Sequence, residues 1–302
     1  SPSIGWGRKE SLTQGDSHYW GVWWGKEPFE IYEKKVGRFM SEYGFQGMPN
    51  LETLKKVMNN EDLNFTSEAF KNHQKHPTGY ETINEYMERD YVVPKDLKDY
   101  LYVSQLLQAR GMKIAIEAHR RAKPYCMGTL YWQLNDCWPV TSWSSLDYYG
   151  NWKAFHYQAK QSFENLLLSV ADENEKHKVY LVYDNLESFS GKLELELLSF
   201  DGKLLWKTLK EFTVQENAST AFYEILKEDF KSFNLQQTFL KVKFKEYVRL
   251  HRVLTRINAV DIWEYLKDKK IHKQQYKGVK WIVLGFLLFI LFLFLIKGFI
   301  KE

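Results

Sequence analysis

Cysteine is nearly absent from this 302-residue chain, which has only Cys126 and Cys137. Two thiols cannot build the disulfide framework of a small secreted module, and neither has ligating partners at metal-binding spacing. A bridge between the two is the one disulfide the composition permits. An excess of either charge is also lacking. The 42 Lys and Arg against 38 Asp and Glu leave a net charge of +4, too small to hold a polyanion, so nucleic acid is excluded as a partner. No glycine-rich phosphate loop or dinucleotide fingerprint occurs, and no cofactor is expected. His73, His76, His119 and His156 have no acidic or thiol partners at ligand spacing and read as satisfied core or surface side chains. No secretory leader opens the sequence, and Ser1-Pro2-Ser3 reads as the interior of a longer chain.

Aromatic residues are abundant, at 17% of the chain. They gather between Trp6 and Trp24 and between Tyr125 and Trp152, a distribution that suits a filled core or stacking platforms for pyranose rings. Among them, Arg38-Phe39-Met40-Ser41-Glu42-Tyr43-Gly44-Phe45-Gln46 is an apolar strand-like run that ends by presenting one carboxylate, Glu42, with Gly44 and Gly47 stopping the strand behind it. Carboxyl ends of barrel strands are where catalytic groups sit. Some 90 residues later, Met127-Gly128-Thr129-Leu130-Tyr131-Trp132-Gln133-Leu134-Asn135-Asp136-Cys137-Trp138-Pro139 repeats the pattern of a short strand running into aromatic and polar side chains. Aromatic faces beside a carboxylate suggest a sugar site.

The spacing predicts a strand over 36–45, a helix over 50–60 opened by Asn50, and a long helix over 95–121 beginning after Pro94. A second strand follows over 125–134, then a helix over 152–170. That alternation belongs to an α/β barrel. From His177 onward the period changes to two: Lys178-Val179-Tyr180-Leu181-Val182-Tyr183, then Lys192-Leu193-Glu194-Leu195-Glu196-Leu197-Leu198, with turns at Asp184-Asn185 and Asp201-Gly202. Further strands are expected over 204–214, 220–225 and 238–244. Alternating short strands separated by turns predict a β-sandwich.

Three segments, in this order and spacing, resemble the C-terminal half of a β-mannosidase of glycoside hydrolase family 2. They are Gly15-Asp16-Ser17-His18-Tyr19-Trp20-Gly21-Val22-Trp23-Trp24, Ser41-Glu42-Tyr43-Gly44-Phe45-Gln46, and Tyr131-Trp132-Gln133-Leu134-Asn135-Asp136-Cys137-Trp138-Pro139. The resemblance is strong to about residue 165 and weaker to about residue 245. It implies an α/β plus all-β fold, with residues 1–170 the C-terminal part of a TIM (β/α)8 barrel and 171–256 an immunoglobulin-like β-sandwich. Glu42 would end barrel strand seven and Trp132 would lie on strand eight. The implied activity is retaining, exo-acting hydrolysis of terminal β-D-mannose from oligosaccharides or glycoconjugates, without a cofactor, in a periplasmic, secreted or lysosomal compartment.

Retention requires two carboxyl groups about 5 to 5.5 Å apart. By resemblance Glu42 is the nucleophile, and the acid/base is the Glu of an Asn-Glu pair on barrel strand four, ahead of residue 1. Asn59-Asn60-Glu61, Asn84-Glu85 and Asn174-Glu175 stand after the nucleophile and in the wrong setting. Without that acid the 302-residue chain alone is expected not to hydrolyse β-mannosides. Trp132 is a stacking wall for the sugar or a core indole. Trp24 and His18 belong to the loop that lines the pocket in the family, where His18 binds a hydroxyl or fixes the loop. Trp6 and Asn135 complete the substrate-binding candidates. Tyr43 reads as a buttress and Asp136 as a structural group. The other function classes in view are a different family 2 exo-β-glycosidase such as a β-galactosidase, a non-catalytic carbohydrate-binding module, and a membrane-tethered remnant.

Residues 257–302 have no counterpart in the family. Trp281 opens 16 uncharged residues, and extension to Ile300 gives 20 including Lys297, about 30 Å of helix and enough to span a hydrocarbon core. Such a hydrophobic C-terminal helix would anchor the chain in a membrane. Six lysines between Lys267 and Lys280 precede it, which by the positive-inside tendency leaves the main body cytoplasmic, at odds with an extracytoplasmic glycosidase. The other reading is an alien tail, such as an out-of-frame or misassembled C-terminus.

Overall fold

The structure, a computed structural model, describes residues 4–244 and 247–252. Three short parallel strands come first: β1 (Ile4–Gly5), β2 (Ser17–His18) and β3 (Met40–Glu42), in the order β1-β2-β3. The backbone around Thr129 continues the ladder. Met40 N donates to Gly128 O at 2.9 Å, Leu130 N donates to Met40 O at 2.8 Å, and Thr129 bridges Met40 in the parallel sense. Four parallel backbones therefore lie side by side, where the sequence suggested two. The strand expected over 125–134 is reduced to that single bridge. Beyond Leu130 the peptide groups turn to other partners, with Trp132 N donating to Tyr43 O at 2.8 Å and Gln133 N to Trp143 O at 3.3 Å.

Parallel neighbours need long crossovers, and the one from β3 to Thr129 is helical. It contains α1 (Leu51–Leu54), α2 (Glu68–Asn72), α3 (Gly79–Asp90) and α4 (Leu97–Arg121). The helix expected over 50–60 stops at Leu54. Asn50 does not cap it, because its side-chain oxygen accepts from Gln105 Nε2 at 2.9 Å instead. In α3 the buried Ile83, Tyr86 and Met87 recur at helical spacing, a face the segment-by-segment reading passed over. The long helix is where the sequence put it, with Asp96 accepting from Asp99 N at its start. Its Gly111 is explained by packing. A Cβ there would sit 2.2 Å from Phe29 Cε1, so the cost of a helical glycine, about 1 kcal/mol, is offset by close approach of the Phe29 ring.

After the Thr129 segment, α5 (Ala154–Ser162) ends eight residues before the helix expected over 152–170. Leu166–Glu173 is a strand, β4. Leu166, Leu167, Leu168 and Ser169 are all buried, so the strand is covered on both faces and its sequence lacks the alternation that would mark it. It opens a set of antiparallel strands: β5 (Lys176–Tyr183), β6 (Phe189–Ser199), β7 (Leu204–Val214), β8 (Ala218–Leu226), β9 (Thr238–Phe244) and β10 (Tyr247–Arg252). They form two sheets, β4-β5-β8 and β10-β9-β6-β7. Leu168, Val179, Leu181, Leu195, Leu197 and Val242 are among the side chains buried in the core of this part. All five strands read from period-two alternation are present.

The end of α4 ties the parallel-strand part to the sandwich. Arg121 donates to Ser169 Oγ at 2.7 Å and to Glu33 at 2.8 Å, while Ser169 Oγ donates to Glu117 at 2.6 Å. Arg120 pairs with Asp184 at 2.9 Å. Cys126 is buried, Cys137 is exposed, and both are free thiols, so the bridge the composition permitted is not made. Among the described residues no helix is long and apolar enough to cross a membrane. The hydrophobic C-terminal helix expected over 281–300 lies outside the described residues.

Candidate active site

Glu42 closes β3, opposite His18 in the neighbouring strand. Its backbone carbonyl accepts from Tyr19 N at 2.7 Å, which fixes where the side chain leaves the sheet. The carboxylate then has two neighbours. Trp20 Nε1 donates to Oε1 at 2.8 Å, and His18 Nδ1 stands 3.8 Å from the same oxygen. His18 Nε2 lies 4.0 Å from Asp16 Oδ2, so the imidazole sits between two carboxylates at electrostatic rather than hydrogen-bonding range. Asp16 is in turn held by Ser41 Oγ, which donates to it at 2.6 Å.

Gly44 lies two residues beyond Glu42, and its missing side chain is a requirement of the packing. A Cβ there would lie 2.3 Å from Trp132 O, 3.1 Å from Trp143 Cδ1 and 3.3 Å from Trp20 Cη2. The chain thus brings the three indole-bearing segments together at Gly44, two residues past the carboxylate. The Trp132 indole is 44% exposed. Trp6, anchored by its N–H to His18 O at 2.8 Å, is 39% exposed. Trp24 is 54% exposed and stands edge-on to His76 with ring centroids 4.7 Å apart. Asn135 is exposed, and its carbonyl accepts from Gln133 Nε2 at 2.6 Å.

Beneath this rim the residues are structural. Tyr43 is fully buried and its hydroxyl shares a hydrogen bond with Thr129 Oγ1 at 2.6 Å; the hydroxyl of Thr129 also meets His119 Nδ1 at 2.8 Å. Burial pushes the Tyr43 phenol well above its ordinary range and drives the His119 imidazole from 6.5 to about 3. The Thr129 hydroxyl thus bonds the Tyr43 phenol on one side and the neutral His119 imidazole on the other. This pins the strand that carries Glu42 to the segment that carries Trp132. Asp136 is buried, accepting at Oδ2 from Ser142 Oγ at 2.7 Å and Ser144 Oγ at 2.5 Å. Close by, Lys153 Nζ donates to Gly47 O at 2.8 Å and to Ser142 O at 3.3 Å. Burial lowers its pKa from 10.5 to about 7.

Trp20, Asp16 and Trp143 were not singled out in the sequence, and His76 was read there as a satisfied core or surface side chain. Trp20 and Asp16 stood inside the first motif, whose wording was the signal. Trp143 and His76 carry no motif of their own, and only the fold brings them near. Glu61 is exposed in a single turn (Asn60–Asp62), and Glu85 pairs with Lys26 at 2.7 Å. Among the described residues no cluster of three or more His, Cys, Asp or Glu could hold a metal ion.

Comparison with known proteins is consistent across sequence and fold. Residues 175–252 match the model of the Mannosidase Ig/CBM-like domain. Beta-mannosidase B of Aspergillus niger is 30% identical over 223 residues, covering 68% of this chain and 26% of that protein. The beta-mannosidase of Bos taurus is 37% identical over 170 residues, 52% of this chain and 19% of the relative. The crystal structure of the beta-D-mannosidase from Dictyoglomus thermophilum superposes with a TM-score of 0.77 at 31% identity, over 82% of this chain and 31% of that one. The exo-chitosanase CsxA of Amycolatopsis orientalis shares the fold, with a TM-score of 0.62 at 19% identity over 74% of this chain and 29% of that one. The chain spans about a quarter of the length of the curated relatives it matches.

Proposed function

The chain belongs to the β-mannosidases of glycoside hydrolase family 2, and on that premise we propose that it supplies the nucleophile side of a retaining exo-β-mannosidase site. Glu42 attacks the anomeric carbon as the ionised carboxylate while the glycosidic C–O bond breaks and the general acid protonates the departing oxygen; water then hydrolyses the resulting covalent mannosyl ester. The general acid/base belongs to barrel strand four, a part of the family's fold that these residues do not include. On this reading the four parallel backbones are the last strands of a TIM barrel, in which catalytic groups gather at the carboxyl ends.

One observation supports the proposal above the others: a carboxylate at the end of a parallel strand, held by an indole N–H at 2.8 Å, with the backbones of Trp6 and Trp132 hydrogen-bonded to His18 and Tyr43 beside it. The Trp20 bond fixes one oxygen, which leaves the other to approach the substrate. Trp132 and Trp6 offer apolar faces to the C–H surface of a pyranose and shield the reacting centre from water. His18 lies within reach of both Glu42 and Asp16, where it positions the carboxylate or donates to a sugar hydroxyl. Asn135 adds an amide at the rim. The substrates are terminal β-mannosides of oligosaccharides or glycoconjugates, and the parent enzyme works outside the cytoplasm.

A panel of aryl glycosides tests the reading on the full-length gene product. The β-mannoside should be cleaved in preference to the β-galactoside, β-glucuronide and β-glucosaminide, and Glu42→Gln should abolish cleavage of all of them. Equal cleavage by the Gln variant would rule out Glu42 as the nucleophile. A second reading, a carbohydrate-binding module without catalysis, draws on the CBM-like description of the matched domain. It predicts sugar affinity residing in the sandwich and indifferent to Glu42.

A further inference from the structure

The chain that runs on from Glu42 is held from inside the protein by α4. Gln108 is fully buried on that helix. Its Nε2 donates to Phe45 O at 2.9 Å, to Trp143 O at 3.1 Å and to Ser144 O at 3.2 Å. Carbonyls only accept, so the amide nitrogen must face them, and its two protons are shared among three oxygens. The other side of the amide lies against Gly47, where a Cβ would come within 2.5 Å of Gln108 Oε1. Ser104 and Gln105 also hold this stretch, the first accepting from Met48 N at 3.1 Å and the second donating to Asn50 Oδ1 at 2.9 Å. Of the three, Gln108 alone donates to the 143–144 segment as well.

An amide placed in the interior carries a desolvation penalty that an apolar side chain of the same size would avoid. What Gln108 secures in return is the register of two segments that meet at the carboxylate. Phe45 stands three residues beyond Glu42. Phe45 and Trp143 each meet Trp23 edge-on with centroids 5.3 Å apart, which links the same two segments a second time through their rings. Trp143 also meets Trp20 edge-on at 6.1 Å, and Trp20 Nε1 donates to Glu42 Oε1. The contacts close a circuit. It runs from Glu42 along the backbone to Phe45, through the Gln108 amide to Trp143, across the rings to Trp20, and back to the Glu42 carboxylate. Phe45, Trp23 and Trp143 are all buried, and a close-packed interior transmits displacement.

We propose that Gln108 is a positioning residue for the nucleophile, which sets the Trp20 indole and through it the Glu42 oxygen. Being fully buried, it acts without meeting the substrate. The inference rests on the reading of Glu42 as the nucleophile of a β-mannosidase, and it extends the catalytic apparatus to a helix that carries none of the three motifs.

The test is a double-mutant cycle on the full-length gene product, with kcat and KM measured on an aryl β-mannoside for the wild type, Gln108→Met, Trp20→Phe and the double variant. Methionine keeps the length of the side chain and removes its donors. In Gln108→Met, kcat should fall about tenfold with KM changed by less than about twofold. With Trp20→Phe already present the same substitution should lower kcat by no more than about twofold, because the bond that transmits the effect is gone. A side chain that only supports the fold would lose the same factor in both backgrounds, and that result, or an unchanged kcat in Gln108→Met, overturns the proposal. If Gln108→Met does not fold, Trp143→Phe takes its place in the cycle: a loss confined to the Trp20 background supports the circuit, and equal losses in both backgrounds overturn it. A wild type that cleaves no aryl β-mannoside overturns the reading of Glu42 itself, and the positioning role with it.

Discussion

Trp20 Nε1 donates to Glu42 Oε1 at 2.8 Å, joining the end of one parallel strand to the turn that follows its neighbour. A hydrogen bond to a charged group contributes about 1.5–3 kcal/mol, and its geometric role here is to hold one carboxylate oxygen still. Trp20→Phe keeps most of the ring packing against Trp143 and removes the donor. The expected outcome is a fall in kcat/KM of roughly ten- to a hundredfold with an unchanged circular dichroism spectrum. Steady-state kinetics on the full-length gene product checks it.

Gly44 lies where the Glu42 strand, Trp132 O, Trp143 and Trp20 converge. A Cβ placed 2.3 Å from a backbone oxygen cannot be absorbed by a side-chain rotation, so the Trp132 segment has to move. Gly44→Ala should destabilise the fold by about 1–3 kcal/mol, as overpacking does. It should also impair catalysis more than an equally destabilising change elsewhere in the core. Urea denaturation and activity measured on the same preparation separate the two effects.

Lys153 ties the loop at Gly47 to the loop at Ser142, and its folded-state pKa of about 7 lies below the ordinary 10.5. Between those values the unfolded chain binds one proton more than the folded one. Stability should therefore rise with pH across that window, by up to about 1.4 kcal/mol per unit. Lys153→Met, which has no proton to release, should lose this slope. Denaturation midpoints at pH 7, 8 and 9 give the answer directly.

His119 acts in the same direction at lower pH. Its folded pKa of about 3 lies below the ordinary 6.5, so the folded state resists a proton that the unfolded chain accepts between pH 6.5 and 3. Stability should fall as the pH is lowered through that range, again by up to about 1.4 kcal/mol per unit. His119→Gln should flatten the dependence, and thermal melts from pH 7 to pH 4 test it.

How much of this could be read in advance depends on where each signal was stored. The sandwich was plain at Lys178 to Tyr183 and Lys192 to Leu198, because one face is buried and the other solvated, and alternation records that difference. At Leu166 to Ser169 both faces are covered, the alternation disappears, and a strand looked like the end of a helix. β1 and β2 are two residues each, too short to leave a period, so half of the parallel ladder was invisible. Glu42, Trp132 and Tyr43 stood inside recognisable motifs. His76 and Trp143 became neighbours of the site only through tertiary packing, and no spacing in the sequence records that.

The most direct measurement is mass spectrometry of the full-length gene product after incubation with a 2-deoxy-2-fluoro-mannosyl fluoride, whose C2 fluorine slows both steps while its anomeric fluoride leaves readily, so that a covalent intermediate accumulates. The account predicts one added fluoromannosyl group, on the peptide containing Glu42, and none in Glu42→Gln. A label on another carboxylate, or active enzyme that turns over β-mannosides without ever taking up the label, would contradict it.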